Sequence, residues 1–284
     1  MNVLYCGDKN IEDGLIISVL SLLRNTTSPL NIYVMTMRCE AQGKLYEPLC
    51  SSFADFMDSL LKKYDPESSF SLFDITELFE KEVPVANMST RFTPGCMVRL
   101  FADCIGQLPD RILYLDNDVV CRRDPEELYN IGMEDTEMAG VLDHYGKWFF
   151  RRNIFKMDYV NSGVLMLNLR EIRRTRLFER ARAMCSSKEM FMPDQSALNK
   201  LSQSKKLMPR RFNEQRKLHE DTVLQHFTTS FRFFPWIHTV TVKPWQTDKV
   251  HSVLRLYEYD SLLEEYQQIK DRYIEKLKGE TQDE

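Results

Sequence analysis

No apolar run in this 284-residue chain reaches the ~18 residues that a membrane-spanning helix requires. The opening Met1-Asn2-Val3-Leu4-Tyr5-Cys6-Gly7-Asp8 turns polar too soon for a secretory signal. The expected location is therefore cytoplasmic, with peripheral contact at the inner face of a membrane left open. Cys-x-x-Cys pairs are absent too. The seven cysteines (Cys6, Cys39, Cys50, Cys96, Cys104, Cys121 and Cys185) are odd in number and scattered, which argues against a disulfide framework and a zinc knuckle. Neither a Gly-x-x-x-x-Gly-Lys-Ser/Thr loop nor a Gly-x-Gly-x-x-Gly turn occurs, so P-loop and dinucleotide sites have no support. Basic excess is missing as well. The 38 Lys and Arg against 42 Asp and Glu leave a net charge of -4, so nothing draws the chain to nucleic acid. With no internal repeat, linker or low-complexity segment, the length suits one large domain with at most an appended piece.

What is present alternates between strand and helix patterns. Asn2 to Cys6 reads as a strand, followed by Ile11, Leu15, Ile16, Val19, Leu22 and Leu23 at helical spacing. Leu30 to Met35 is a second strand, Leu45 to Leu61 a helical stretch, and Ser69 to Phe73 a third strand. Gly95 to Ile105 is helical in period. Further strands are expected at Met138 to Leu142, Tyr159 to Leu169 and Val223 to Phe227, and helices at Arg170 to Met184 and Pro193 to Leu201. This order predicts an α/β fold with a mostly parallel sheet flanked by helices. Residues 1–250 form the expected main domain. Within 251–284, Leu262, Leu263, Tyr266, Ile269, Tyr273 and Leu277 predict a C-terminal helix packed on it.

The most informative stretch is Ile112-Leu113-Tyr114-Leu115-Asp116-Asn117-Asp118-Val119-Val120. Apolar flanks around two carboxylates mark a buried strand that opens into a polar site. Carboxylates this close repel one another and cost free energy to desolvate, which a divalent cation would offset. In an open α/β sheet, ligands bind beyond the carboxyl ends of the strands. Asp8, Asp116, Asp118 and Asp143 all fall at such ends, so four acids are expected on one rim. Taken singly, Asp8 and Asp143 read equally as helix caps or Asx turns. Oxygen ligands suit Mg²⁺ or Mn²⁺, and a cation with open positions suits a phosphate ester. Arg99 and Lys243 are the candidates to neutralise a diphosphate.

Six blocks carry a resemblance. They are Cys6-Gly7-Asp8-Lys9-Asn10, Val98-Arg99-Leu100, Tyr114-Leu115-Asp116-Asn117-Asp118, Asn161-Ser162-Gly163-Val164, Asp194-Gln195, and His226-Phe227 with Lys243-Pro244-Trp245. In this order they resemble the family 8 glycosyltransferases, retaining enzymes of GT-A fold that include glycogenin-like and lipooligosaccharide galactosyltransferase-like proteins. The resemblance implies transfer of a hexose, galactose or glucose, from a UDP-sugar to a hydroxyl of a glycan acceptor. It implies Asp116, Asp118 and His226 as ligands of Mn²⁺ or Mg²⁺. It implies Asp8, Asn10, Arg99, Asn117, Asn161 and Lys243 on the donor. Asp143, Asp194 and Gln195 would lie by the sugar. Gln195 is a weak nucleophile because an amide oxygen lacks a carboxylate's charge, so it is expected to position or stabilise; Asp194 or Asp143 suits attack better on chemical grounds.

One departure stands out. The family pattern is His-x-x-Gly-x-x-Lys-Pro-Trp, but here Thr229 occupies the glycine position and Lys243 follows His226 by 17 positions. The segment Ser230 to Trp236 reads as an acceptor-site lid or as a packed aromatic loop, and His238 becomes a weaker competitor for the metal. Two other functions stay open at this point. A sugar-nucleotide nucleotidyltransferase also uses metal-bound carboxylates, though it would want a glycine-rich phosphate loop. A non-catalytic UDP-sugar binder would follow if Lys243 were displaced from the diphosphate.

Overall fold

The computed structural model describes residues 1–89, 94–144, 158–232 and 238–280. In chain order the strands are β1 (Asn2–Cys6), β2 (Asn31–Thr36), β3 (Cys39–Ala41), β4 (Lys44–Tyr46), β5 (Ser69–Asp74), β6 (Arg111–Leu115) and β7 (Val119–Cys121). They continue as β8 (Met138–Leu142), β9 (Val160–Asn168), β10 (Lys205–Met208), β11 (Leu224–His226), β12 (Ser230–Arg232) and β13 (His238–Val240). Seven form the central sheet in the order β10-β8-β9-β6-β1-β2-β5. The sheet is mixed. Pairings β1 with β2, β1 with β6, β2 with β5 and β8 with β10 are parallel, while β9 runs antiparallel to both β6 and β8. All nine residues of β9 are buried, as expected for a central strand covered on both faces.

Apolar cores lie on both faces of the sheet. One contains α1 (Glu12–Asn25) and α2 (Ser51–Tyr64), with Leu15, Val19, Leu22, Phe53 and Met57 against Val3, Tyr5, Ile32 and Val34. The C-terminal helix Asp260–Glu280 adds Leu262, Leu263, Tyr266, Ile269 and Tyr273 to that same core, and Lys270 pairs with Asp13 of α1 at 2.7 Å. The other face packs Met97, Leu100 and Phe101 against Ile112, Leu167, Phe178 and Leu198. All seven cysteines are free thiols.

Three expectations are corrected. The stretch from Leu45 is not helical at its start. Gln42 and Gly43, both at positive φ, turn β3 into β4 as a two-residue hairpin, and α2 begins only at Ser51. The helix expected over Arg170 to Met184 is two helices, Leu169–Thr175 and Leu177–Ser187, broken at Arg176 in the left-handed region. That break re-aims the chain so that Leu177, Phe178, Ala181 and Cys185 all reach the core. Finally, Pro94–Cys104 is a 3₁₀ rather than an α-helix.

Candidate active site

The rim is built by where strands end. Asp8, Asp116 and Asp143 directly follow or closely follow β1, β6 and β8, and with Asp118 they line one cavity of 350 Å³. After Leu115 the chain leaves the central sheet through Asp116-Asn117-Asp118, a turn closed by Val119 N–H donating to Asp116 O at 3.1 Å. It then enters β7, which pairs antiparallel with β11 in a register that sets His226 opposite Val119. Phe227 N–H donates to Asp118 O at 3.0 Å. That small sheet is what brings a histidine so distant in sequence beside the two aspartates.

The triad is sorted atom by atom. Asp116 Oδ1 accepts from Tyr114 Oη at 2.7 Å and from an Arg99 guanidinium nitrogen at 2.8 Å. Its other oxygen, Oδ2, lies 3.6 Å from His226 Nε2, and Asp118 Oδ1 lies 3.1 Å from the same nitrogen. Asp116, Asp118 and His226 are the one Asp/Glu/His/Cys cluster among the described residues that could hold a metal ion. Ligands about 2.1 Å from a six-coordinate cation sit about 3 Å from their neighbours, so the spacing fits a divalent ion. Two buried atoms of the triad, Asp118 Oδ1 and His226 Nδ1, have no hydrogen-bond partner, which an oxygen-seeking cation would relieve at the carboxylate.

Gly163 closes the triad from β9. It sits opposite Asp116, whose N–H donates to Gly163 O at 2.8 Å. A Cβ there would come within 2.0 Å of His226 Cε1 and 2.8 Å of Asp116 Oδ2, so glycine is demanded by close approach of the ring and not by φ. Gly14 of α1 does the same for the turn, since a Cβ would meet Asn117 O at 2.4 Å and Trp245 Cζ3 at 2.7 Å.

Lys243 is present despite its spacing. Its Nζ pairs with Asp118 Oδ2 and donates to Phe227 O at 3.3 Å. The reason is the hairpin β12–β13, in which Ser230 pairs with Val240. Ser230 to Val240 spans 11 residues, and the chain on either side of them meets where the Thr229 and Thr241 hydroxyls bond at 2.8 Å. Without those 11, the 17-position separation becomes 6, the spacing of His-x-x-Gly-x-x-Lys. Residues 233–237 of the segment expected as a lid or loop lie outside the described residues, as does the side chain of His238.

Charges here are mutually set. Burial works to raise the Asp118 pKa, but Lys243 and His226 outweigh it and hold the carboxyl below its ordinary range. Burial works to lower Lys243, and Asp118 reverses that, so both groups stay charged. Asp194 is pushed up by burial, with Arg99 opposing.

A buried polar network continues from the triad. Arg99 donates to Ser162 O, lies 3.3 Å from Asp194 Oδ2, and stacks 4.1 Å over the Tyr114 ring. Gln195 Oε1 accepts from Ser162 N–H at 2.9 Å, and its Nε2 donates to Asp143 Oδ2 at 3.2 Å. Asp143 Oδ2 also accepts from Asn161 Nδ2 at 2.9 Å. Asp8, Asn117, Asp143, Asn161, Asp194 and Gln195 therefore all line the cavity with Arg99, the triad and Lys243. Asn10 does not. It is exposed and donates to Asp8 Oδ1 from both its backbone N–H, at 2.8 Å, and its side chain. Asp8 is thus a cap and a cavity residue at once. Sequence reasoning assigned no part to Tyr114, Ser162, Gln215 or the exposed Phe191, which also line the cavity; Tyr114 and Ser162 had a signal, their places in the blocks that hold Asp116 and Asn161.

Comparison with known proteins follows the same lines. The model of the family described as Glycosyl transferase family 8 matches residues 2–249. A lipopolysaccharide 1,2-glucosyltransferase of Escherichia coli is 29% identical over 262 residues, covering 83% of this chain and 73% of that protein. A lipopolysaccharide 1,3-galactosyltransferase of Salmonella typhimurium is 24% identical over 262 residues, covering 87% and 73%. Among solved structures, the galactosyltransferase LgtC in complex with donor and acceptor sugar analogs superposes with a TM-score of 0.65 at 16% identity, over 94% of this chain and 96% of that one. The last likeness shows a shared GT-A fold.

Proposed function

The chain belongs to glycosyl transferase family 8, and from that membership we propose that it transfers a hexose, glucose or galactose, from a UDP-sugar to a hydroxyl of a glycan acceptor with retention at the anomeric carbon. The carrying observation is the convergence of Asp116 Oδ2, Asp118 Oδ1 and His226 Nε2 on the rim that also holds Asp8 and Lys243. Those three atoms would hold the cation, for which Mn²⁺ or Mg²⁺ suits the carboxylate-rich set. A cation bound there would supply positive charge against the departing diphosphate.

The chain's own residues do the remaining work. Tyr114 and Arg99 hold Asp116 by Oδ1 and so turn Oδ2 toward the triad. Lys243, charged beside Asp118, supplies a second positive group for the diphosphate. Asp8 offers a buried carboxylate to the uridine. Gln195 spends its carbonyl oxygen on Ser162 N–H and its amide on Asp143, which suits positioning and not attack. In the step itself the bond from the anomeric carbon to the phosphate oxygen breaks, the bond to the acceptor oxygen forms on the same face, and the departing phosphate oxygen takes the acceptor proton.

Residues 1–250 serve as the transferase domain, and 251–284 as an extension docked through the helix Asp260–Glu280. Among the described residues no helix is long and apolar enough to cross a membrane. The acceptor class follows the relatives named for lipopolysaccharide. A panel of UDP-glucose, UDP-galactose and their N-acetyl forms, with and without Mn²⁺, tests the reading by UDP release. Metal-dependent release from one donor is expected; pyrophosphate-dependent turnover, or no release from any, overturns it.

A further inference from the structure

A second cavity, of 870 Å³, adjoins the first. Asp143, Gln215, His226 and Thr228 line both, so the two share a wall. The chain after Phe212 builds that wall. Glu214 N–H donates to Leu224 O, and His226 N–H donates to Glu214 O, each at 2.9 Å, which ties this segment to the strand carrying His226. Gln215 Nε2 donates to Leu142 O at 3.1 Å, and its Oε1 accepts from His144 N–H at 2.9 Å, which ties it to the end of β8. Arg216 and Lys217 follow directly and line the second cavity.

Among the described residues their charges have no carboxylate partner. Of the other basic side chains there, Arg210 pairs with Glu214 and with Asp221, and the His219 ring lies 3.7 Å from Glu214. The cavity's carboxylates are also engaged, Glu214 by Arg210 and Asp143 by Asn161 and Gln195. Arg216 and Lys217 are exposed, and among the described residues neither side chain has a carboxylate partner. A neutral sugar gains little from two unpaired cations. A phosphate or carboxylate gains charge-assisted hydrogen bonds, with a fork geometry from the guanidinium and a point charge from the ammonium.

We infer that this cavity takes the acceptor, and that Arg216 and Lys217 bind an anionic substituent on it. The inference rests on the transferase reading above and names the acceptor's chemical class. The full chain, saturated with UDP and Mn²⁺, is titrated by calorimetry with glucose, glucose 6-phosphate and glucuronic acid. At least one anionic sugar should bind tenfold or more tightly than glucose, and which one does so identifies the substituent. The advantage should shrink in about 0.5 M salt, because exposed charges are screened. It should vanish in the double variant R216A/K217A, whose UDP affinity reports that the donor site is still folded. Equal affinity for all three sugars, no binding by any of them, or an undiminished preference in the double variant overturns the inference while UDP binding upholds the donor site. Failure of UDP itself to bind overturns the transferase reading, and this one with it.

Discussion

Replacing Gly163 by alanine adds one methyl group where the His226 ring already stands. The new Cβ would lie 2.0 Å from His226 Cε1, so reaching an ordinary contact of 3.4 Å requires a displacement of 1.4 Å between the ring and β9. Neither side gives easily. Gly163 is in a strand buried along its whole length, and His226 is only 6% exposed. Overpacking of this kind costs about 1–3 kcal/mol, which in a chain of this size lowers Tm by roughly 2–10 °C. The larger consequence is functional. A metal triad tolerates ligand displacement of a few tenths of an ångström, so a shift near 1 Å should weaken metal binding by tenfold or more. The assay is Mn²⁺ titration in the presence of UDP, beside a thermal melt. Gly106→Ala is the control, because a Cβ at Gly106 meets nothing within 4 Å. A Gly163→Ala protein with wild-type metal affinity and Tm would refute the claim that this glycine exists to seat the histidine.

Other outcomes are expected from the same geometry. Asp118→Asn should keep the fold and lower metal-dependent turnover by about a hundredfold or more, as loss of a main electrostatic group does; steady-state kinetics across Mn²⁺ concentrations would show it. In metal-free protein, Lys243→Met should cost about 3 kcal/mol at neutral pH, since it strands the Asp118 charge beside a single histidine. The Asp118 pKa is depressed in the folded state, so its stabilisation is full above the unfolded value near 3.9 and fades as pH falls through the lower folded value. The gap between wild type and Lys243→Met should accordingly narrow below about pH 4 in denaturant melts; a gap that widens on acidification would contradict the pairing. Arg176→Gly should raise Tm, because glycine holds the left-handed conformation at no steric cost.

The rim of acids was legible because it depends on strand ends, and the ends of β1, β6 and β8 announce themselves by apolar runs that stop at Asp8, Asp116 and Asp143. The pairing of His226 with the aspartates came from family order alone, since no local pattern reveals that β7 and β11 will meet. A mostly parallel sheet was legible, but which strand runs antiparallel was not. A strand such as β9, buried on both faces, reads the same whether it runs parallel or antiparallel, and its direction is decided by how the chain returns to the sheet. The break at Arg176 was hidden for a related reason. Arginine is a good helix former, and tertiary demand for Leu177 and Phe178 in the core overrode its propensity. Gly163 stands in the sequence only as part of the Asn161-Ser162-Gly163-Val164 block, because its significance lies in a neighbour from another sheet.

The excursion between Thr229 and Thr241 separates two tasks that usually compete along a polypeptide. Because its two stems are joined by their hydroxyls, whatever is spliced between them leaves the histidine and the lysine at a fixed mutual offset. Closure entropy grows only slowly with loop length, so that junction can absorb segments of very different size at little thermodynamic expense. Variation in the length of that segment can therefore accumulate at this junction while His226 and Lys243 keep their places beside Asp118.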